Sequence, residues 1–367
     1  MPIPPDSLTA KLSRSIGLSN DRRQTLGVLI QGLISARTVN LSHLASTFCG
    51  EAKLASNYRR LQRFFQHVRL DCDWLAKTLV ALLGLTPPYR LCLDRTNWKV
   101  GSKDINLLVL CILTRRARIP VLWDILDRAG TSTMIQRQAL LVHFMALFGK
   151  RSIKLLLADA EFIGDQWFEF LVDNGIPFVI RVRDRLHVRL KDGYEGPLER
   201  LALSTAARRR LMKTTGCFIG MHERHCAALS FGALTLSDGT FLIVATNLNP
   251  RKALNAYKQR WQIECFFGDT KTRGFNMEDT RLTQPDKLSL LLAIIALAVA
   301  WIHACATAVR PRGDIARAKH GYRRKSWFRM GFDILRCWIF ANPDKALQQW
   351  HTIWKRVPGR FNKPRVV

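Results

Sequence analysis

The sequence predicts an α/β protein whose strand-and-helix core is preceded by a helical domain and interrupted by a β-rich insertion. Three observations lead to this prediction. Residues 1 to about 85 follow helical periodicity, residues 89–182 alternate between strand and helix patterns, and residues 185–247 contain glycine-bounded β-type runs. The chain has 367 residues, of which 48% are hydrophobic and 23% charged, so it can bury a sizeable core.

The net charge indicates the kind of partner. Lys and Arg number 57 against 28 Asp and Glu, which gives a charge of +29 and an isoelectric point of about 10.5. A surface this basic favours a polyanion, and nucleic acid suits the sequence better than a membrane surface does. The alternative is a basic protein that binds polyanions non-specifically.

The nine cysteines are scattered and form no CxxC pair, which is typical of a reducing compartment. Four residues are close enough in sequence to suggest a zinc site: Cys217, His222, His225 and Cys226. Adjacent His225 and Cys226 would point to opposite sides of a strand, and the spacing matches no common structural site. The sequence therefore disfavours zinc at this position.

The first 85 residues are predicted to form a basic helical domain that binds DNA. A short amphipathic segment at residues 41–48 precedes a helix at residues 56–67, which Ser56 or Asn57 could cap. The arginines on the faces away from its apolar stripe are Arg59, Arg60 and Arg63. Two short helices with a basic second member suit a helix-turn-helix-like module, although basic helices are also common on ordinary surfaces.

The core elements follow the Pro87-Pro88 pair. Strand patterns at residues 89–94, 105–114 and 119–126 form a meander, and a helix at 133–148, a strand at 153–159, a helix at 165–174 and a strand at 176–182 follow. This order is that of an RNase H-like core. We assign residues 86–184 and 248–310 to the catalytic core, 185–247 to the insertion and 311–367 to a basic C-terminal helical region.

Residues 288–309 are apolar and long enough to be considered as a membrane span. Ser289, His303 and Thr307 interrupt this run, and Arg310 and Arg312 follow it. We predict instead a helix that is buried on most sides of a large core, and no membrane partner.

Three carboxylates are candidates for metal binding. Asp94 and Asp159 end strands that are neighbours in an RNase H-like sheet, and a helix after the insertion would bring Glu264 to them. Three carboxylates can hold two Mg²⁺ ions, with Mn²⁺ able to substitute, for an in-line displacement at phosphorus. Alternatively, an Asp at a strand end merely caps the next turn.

The segment around Glu264 carries further candidates. Tyr257, Arg260, Glu264 and Lys271 share one face of a helix within roughly 60°. Arg260 and Lys271 could neutralise phosphates, and Tyr257 could donate to one. Ordinary i,i+4 surface pairing would give the same pattern, and Gly268 could end the helix before Lys271. Trp261 suits either stacking on a flipped base or core packing.

The pattern Tyr257-(2)-Arg260-(3)-Glu264-(6)-Lys271 resembles the signature of the IS-four family of DDE transposases of bacterial insertion sequences. Residues 93–101 (LDRTNWKVG) and 158–164 (ADAEFIG) are similar to its first and second aspartate motifs. Softer similarities lie at residues 57–65 and 326–331, so the resemblance covers about residues 40–335. Many relatives carry arginine where this chain has Ala160, which puts in doubt a phosphate contact from that position.

This resemblance implies a cytoplasmic, nucleoid-associated bacterial transposase that binds double-stranded DNA as a homodimer on paired transposon ends. It implies two Mg²⁺ ions per active site, held by Asp94, Asp159 and Glu264, and cut-and-paste chemistry, often through a DNA hairpin on the transposon end. An inactive DNA-binding regulator or a related RNase H-like nuclease is the alternative.

Overall fold

A ten-stranded sheet runs through the part of the chain that the computed structural model describes, namely residues 3, 5–9, 17–48, 51–126, 130–219, 228–319 and 321–359. Its strands are β1 Tyr89–Val100, β2 Lys103–Leu113, β3 Arg118–Leu126, β4 Ile153–Ala158, β5 Phe178–Val182, β6 His187–Leu190, β7 Glu195–Pro197, β8 Thr215–Phe218, β9 Leu229–Thr235 and β10 Phe241–Thr246. Their order in the sheet is β3-β2-β1-β4-β5-β10-β9-β8-β6-β7.

The described residues also form fourteen α-helices. They are α1 Pro5–Thr9, α2 Asn20–Ala36, α3 Leu41–Ala45, α4 Leu54–His67, α5 Cys72–Leu82, α6 Met134–Phe148, α7 Asp165–Asp173, α8 Leu198–Ala202, α9 Thr205–Leu211, α10 Pro250–Tyr257, α11 Trp261–Thr270, α12 Pro285–Val309, α13 Trp327–Ala341 and α14 Pro343–Trp354.

The first five strands place the two aspartates side by side. β1, β2 and β3 form an antiparallel meander, while β1 pairs with β4 and β4 with β5 in parallel. The parallel pairing of β1 with β4 ends at Leu93 and Ala158, so Asp94 and Asp159 follow at the same edge. The order of elements is the one the sequence predicts, but Asp94 does not end its strand, because β1 continues to Val100 in its hairpin with β2.

Local sequence explains where the crossover helix α6 begins and ends. Thr133 and Gln136 form a reciprocal capping box at its start. Gly149 follows its last residue with a φ of 87°, a conformation that glycine adopts without a Cβ penalty. The prediction for α4 needs a correction. This helix begins at Leu54, so Ser56 and Asn57 lie inside it and do not cap it.

Residues 185–247 extend the same sheet instead of building a second one. β10 returns to pair antiparallel with β5, and β9, β8, β6 and β7 continue outward from it. His222, His225 and Cys226, three of the four residues considered for zinc, lie outside the described residues.

The long apolar helix α12 is buried, as predicted. It packs against α2, α5, α13 and β3, so N-terminal, core and C-terminal segments share one hydrophobic core. Among the described residues α12 is the one helix long and apolar enough to cross a membrane, and 94% of its apolar window is buried inside the protein.

Candidate active site

The segment that carries Glu264 is two helices joined by one tighter turn. Asn249 caps α10 by accepting from the backbone N–H groups of Arg251 and Lys252, and Pro250 lies in the first turn. A 3₁₀ turn at Lys258–Arg260 separates α10 from α11. The prediction of one continuous helix is therefore wrong in detail. Gly268 does not end the helix, because α11 continues to Thr270, directly before Lys271.

Asp94, Asp159 and Glu264, here called the carboxylate triad, meet around the guanidinium of Arg260. Arg260 Nη1 lies 3.0 Å from Asp94 Oδ2, and Nη2 lies 3.5 Å from Asp159 Oδ2. Nη2 also donates to Glu264 Oε1, one turn along the helix. Carboxylates that are 65 and then 105 residues apart in sequence are thus joined by one side chain.

Burial dominates the electrostatics of this cluster. It raises the pKa of Asp94 from 3.8 to about 7, although the Arg260 charge and a hydrogen bond from the Arg95 backbone N–H oppose the shift. Burial alone would lower the pKa of Arg260, but the Tyr257 hydroxyl and the carboxylate triad raise it above its ordinary value. Arg260 therefore stays protonated, whereas Asp94 titrates near neutral pH.

Tyr257 points at the same cluster. Its hydroxyl donates to Asp159 Oδ1 at 3.3 Å, and that oxygen also accepts the backbone N–H of Ala160 at 2.8 Å. Burial raises the pKa of Tyr257 above its usual range, so the phenol remains a donor. Tyr257 thus orients the second aspartate.

Lys271 and Trp261 lie outside the carboxylate cluster. Lys271 Nζ is 2.7 Å from Glu278 Oε1 and 3.2 Å from the carbonyl oxygen of Asn97, which lies within the first-aspartate motif. Trp261 begins α11 and its side chain is 64% exposed, which removes core packing as its role.

The family of transposase DDE domains matches residues 86–301, more than half of the chain. The chain belongs to this family. It is accordingly a transposase, a class of enzymes that cleave and transfer nucleic acid, act on DNA and normally use divalent metal ions. Comparison with curated proteins gives no match.

The carboxylate triad is a suitable donor set for such ions. It presents oxygen ligands alone, which hard divalent cations prefer, and it comes from three segments of the matched region. Among the described residues, the cationic partner of the triad is the guanidinium of Arg260, so three carboxylates share one positive charge. The residues present therefore fit a divalent metal.

A partly buried network next to the two aspartates was not predicted from the sequence. Arg95 donates to both Glu161 oxygens at 3.1–3.3 Å and to Asn106 Oδ1 at 2.9 Å. Arg137 is buried and donates to Ser132 and, at 3.1 Å, to the Glu161 carbonyl oxygen. The sequence could have indicated this network, because the oppositely charged Arg95 and Glu161 lie within two residues of Asp94 and Asp159.

The three arginines of α4 have different surroundings. Arg60 donates to Thr25 Oγ1 at 2.9 Å and lies over the Phe48 ring, so it is engaged within the protein. Arg59 and Arg63 are exposed. Arg63 lines an open groove of about 440 Å³ between α3–α4 and the segment that precedes α12, together with Arg281 and Lys287. We call this cavity the Arg63 groove.

Proposed function

We propose that the chain is an insertion-sequence transposase of the IS-four type, with an RNase H-like core in residues 86–184 and 248–310. The single observation that carries this proposal is the convergence of Asp94, Asp159 and Glu264 on Arg260. The core strand order 3-2-1-4-5 and the helix arriving after a long insertion support it.

In this proposal the carboxylate triad holds two Mg²⁺ ions, or Mn²⁺ in their place. Bound there, the ions would activate water or a 3′-hydroxyl and stabilise the leaving oxygen of an in-line displacement. Tyr257 keeps Asp159 oriented by its hydrogen bond. Asp94 must be ionised to act as a ligand, and burial raises its pKa to about 7 in the metal-free protein, so metal affinity should fall as the pH drops below neutral.

Arg260 has two alternative sets of partners. Its guanidinium now pairs with the carboxylate triad, and the same donors match the geometry of a DNA phosphate beside the cut. Lys271, held by Glu278 and the Asn97 carbonyl, would neutralise a second phosphate at the rim. The site is thus built to receive polyanionic DNA.

The helical domain of residues 1–85 would bind the transposon ends as double-stranded DNA. Arg59, Arg63 and the Arg63 groove support this assignment because they are accessible and basic. We further propose a homodimer in a synaptic complex, a cytoplasmic, nucleoid-associated location, and cleavage through a hairpin on the transposon end.

The test is cleavage and joining of a plasmid that carries the element's own ends. Wild type with Mg²⁺ should nick, excise and transfer the element. Asp94→Asn, Asp159→Asn and Glu264→Gln should each abolish cleavage while end binding persists. Asp173→Asn, an exposed acid at the end of α7, is the matched control and should remain active. Cleavage without joining would identify a nuclease instead, and end binding by wild type without cleavage would identify a regulator.

A further inference from the structure

A second cluster of ligand-type side chains lies outside the carboxylate triad. Cys72 and Asp73 open α5, and His143 projects from α6. The ligand atoms of these three residues all lie within 4.8 Å of one another. Cys72 is exposed, while Asp73 and His143 are half-buried. The cluster therefore joins the N-terminal helical region to the crossover helix of the core at a solvent-accessible position.

One distance within this cluster matches an edge of a zinc tetrahedron, and a second is shorter than such an edge. Zinc binds sulfur at about 2.3 Å and nitrogen or oxygen at about 2.0–2.2 Å, so a tetrahedral site separates sulfur from oxygen by about 3.6 Å and nitrogen from oxygen by about 3.4 Å. Cys72 Sγ lies 3.6 Å from Asp73 Oδ1. His143 Nε2 lies 2.6 Å from the same oxygen, so the imidazole would need to withdraw by about 0.8 Å.

We propose that Cys72, Asp73 and His143 bind one zinc ion, with water as the fourth ligand. Thiolate and imidazole favour zinc over Mg²⁺, which prefers oxygen ligands, so this site and the carboxylate triad would select different metals. The half-exposed His143 ring has the freedom to open the ligand geometry. Bound zinc would tie α5 to α6 and so attach the N-terminal helices to the core. This inference is independent of the proposed function.

The experiment uses the full chain in excess Mg²⁺, which occupies oxygen-only sites. Titration with Co²⁺ should give the thiolate-to-cobalt charge-transfer band, and Zn²⁺ should displace it at one ion per chain. Cys72→Ala should abolish the band, and His143→Ala should weaken zinc affinity at least about tenfold. Cys337 is another exposed free cysteine, and Cys337→Ala should leave the charge-transfer band and the zinc affinity unchanged. Zinc should raise the Tm of the wild type but not of Cys72→Ala.

Two outcomes would overturn the proposal. One is a charge-transfer band that survives Cys72→Ala but disappears in Cys226→Ser or Cys217→Ser, which would place the thiolate site in the insertion. The other is the absence of any band with wild type, which would leave the His143–Asp73 contact as an ordinary hydrogen bond. An unchanged circular dichroism spectrum should show that Cys72→Ala is folded, so that a lost band in this variant reports a lost ligand and not unfolding.

Discussion

Arg260 Nη1 donates to Asp94 Oδ2 at 3.0 Å, and each of the two side chains is only 12% exposed. This contact joins the turn before α11 to strand β1. A buried pair contributes little net stability when complete, but removing one partner leaves a desolvated charge and costs about 3–5 kcal/mol. Arg260 therefore serves the fold as well as the site.

Arg260→Ala should destabilise the protein in a pH-dependent way. At pH 8 the substitution leaves the buried carboxylate of Asp94 without its cation, and we expect a loss of up to roughly 3–5 kcal/mol in the free energy of unfolding. At pH 5, where Asp94 is protonated because its pKa is about 7, the loss should be smaller. Urea denaturation of the metal-free chain measures both values. Arg59→Ala, at an exposed position, is the control, and an equal loss at both pH values would contradict the prediction.

Asp94 should make the metal-free protein less stable as pH rises. Its folded pKa of about 7 lies above the ordinary 3.8, so the folded state binds more protons and the free energy of unfolding falls between about pH 4 and 7. The gap corresponds to roughly 4 kcal/mol as an upper limit. Asp269, with a pKa of about 6, acts in the same direction at lower pH.

The difference in unfolding free energy between wild type and Asp94→Asn isolates this contribution, because all other groups cancel. From pH 5 to pH 8 the wild type should lose free energy of unfolding relative to Asp94→Asn, and above pH 8 the difference should be constant. A pH-independent difference would show that Asp94 titrates at its ordinary pKa.

The convergence of the three acids was predicted from the order of strands and helices, because the strands that carry Asp94 and Asp159 are neighbours in an RNase H-like sheet and a helix after the insertion carries Glu264. The helix ends were also predictable where caps exist, as at Thr133 and Asn249. Three details could not be predicted, since each depends on a pairing or packing partner that the local sequence pattern does not identify. β1 continues past Asp94 only because β2 pairs with it, and β10 joins β5 across some 60 residues of insertion.

The third detail is the partner of Arg60. On a helical wheel Arg60 resembles Arg59 and Arg63, and only the packing of α2 against α4 supplies Thr25 as its acceptor. Similarly, the face shared by Tyr257, Arg260 and Glu264 was evident from spacing, whereas its inward orientation toward Asp94 and Asp159 depends on the sheet.

Arg137 should act as a positioning residue for the second aspartate. It is 6% exposed, lies over the Phe162 ring, and holds the carbonyl oxygen of Glu161, two residues beyond Asp159. Arg137→Met keeps the volume but removes the donors, so we expect a loss of about 1–3 kcal/mol in stability. Cleavage should slow while DNA-end affinity stays constant. Arg137→Lys should restore part of the rate, and a proportional loss of end binding would instead indicate general unfolding.

The arginines of α4 should separate into two classes. Arg59→Ala and Arg63→Ala should each leave stability within about 0.5 kcal/mol of wild type and reduce the salt slope of DNA binding by about one. Arg60→Ala should lower stability by about 1–3 kcal/mol, because Thr25 and Phe48 lose their partner. Binding to end DNA across a salt series, alongside thermal melting, measures both effects. A salt slope reduced by Arg60→Ala but unaffected by Arg63→Ala would reverse the assignment.

Trp261 should act after the first strand is nicked. Its indole is 64% exposed and follows Arg260 directly, so it flanks the carboxylate triad and can receive an unstacked base where a hairpin bends the backbone. Stacking contributes about 1–3 kcal/mol, and its loss in Trp261→Ala should slow second-strand processing by roughly 5–150-fold while nicking stays normal. Trp261→Phe should be milder. Phe340→Ala, at an equally exposed aromatic on α13, should change neither step. Time courses on end DNA labelled on each strand resolve the two steps, and equal slowing of both would assign Trp261 to the general architecture of the site rather than to the hairpin.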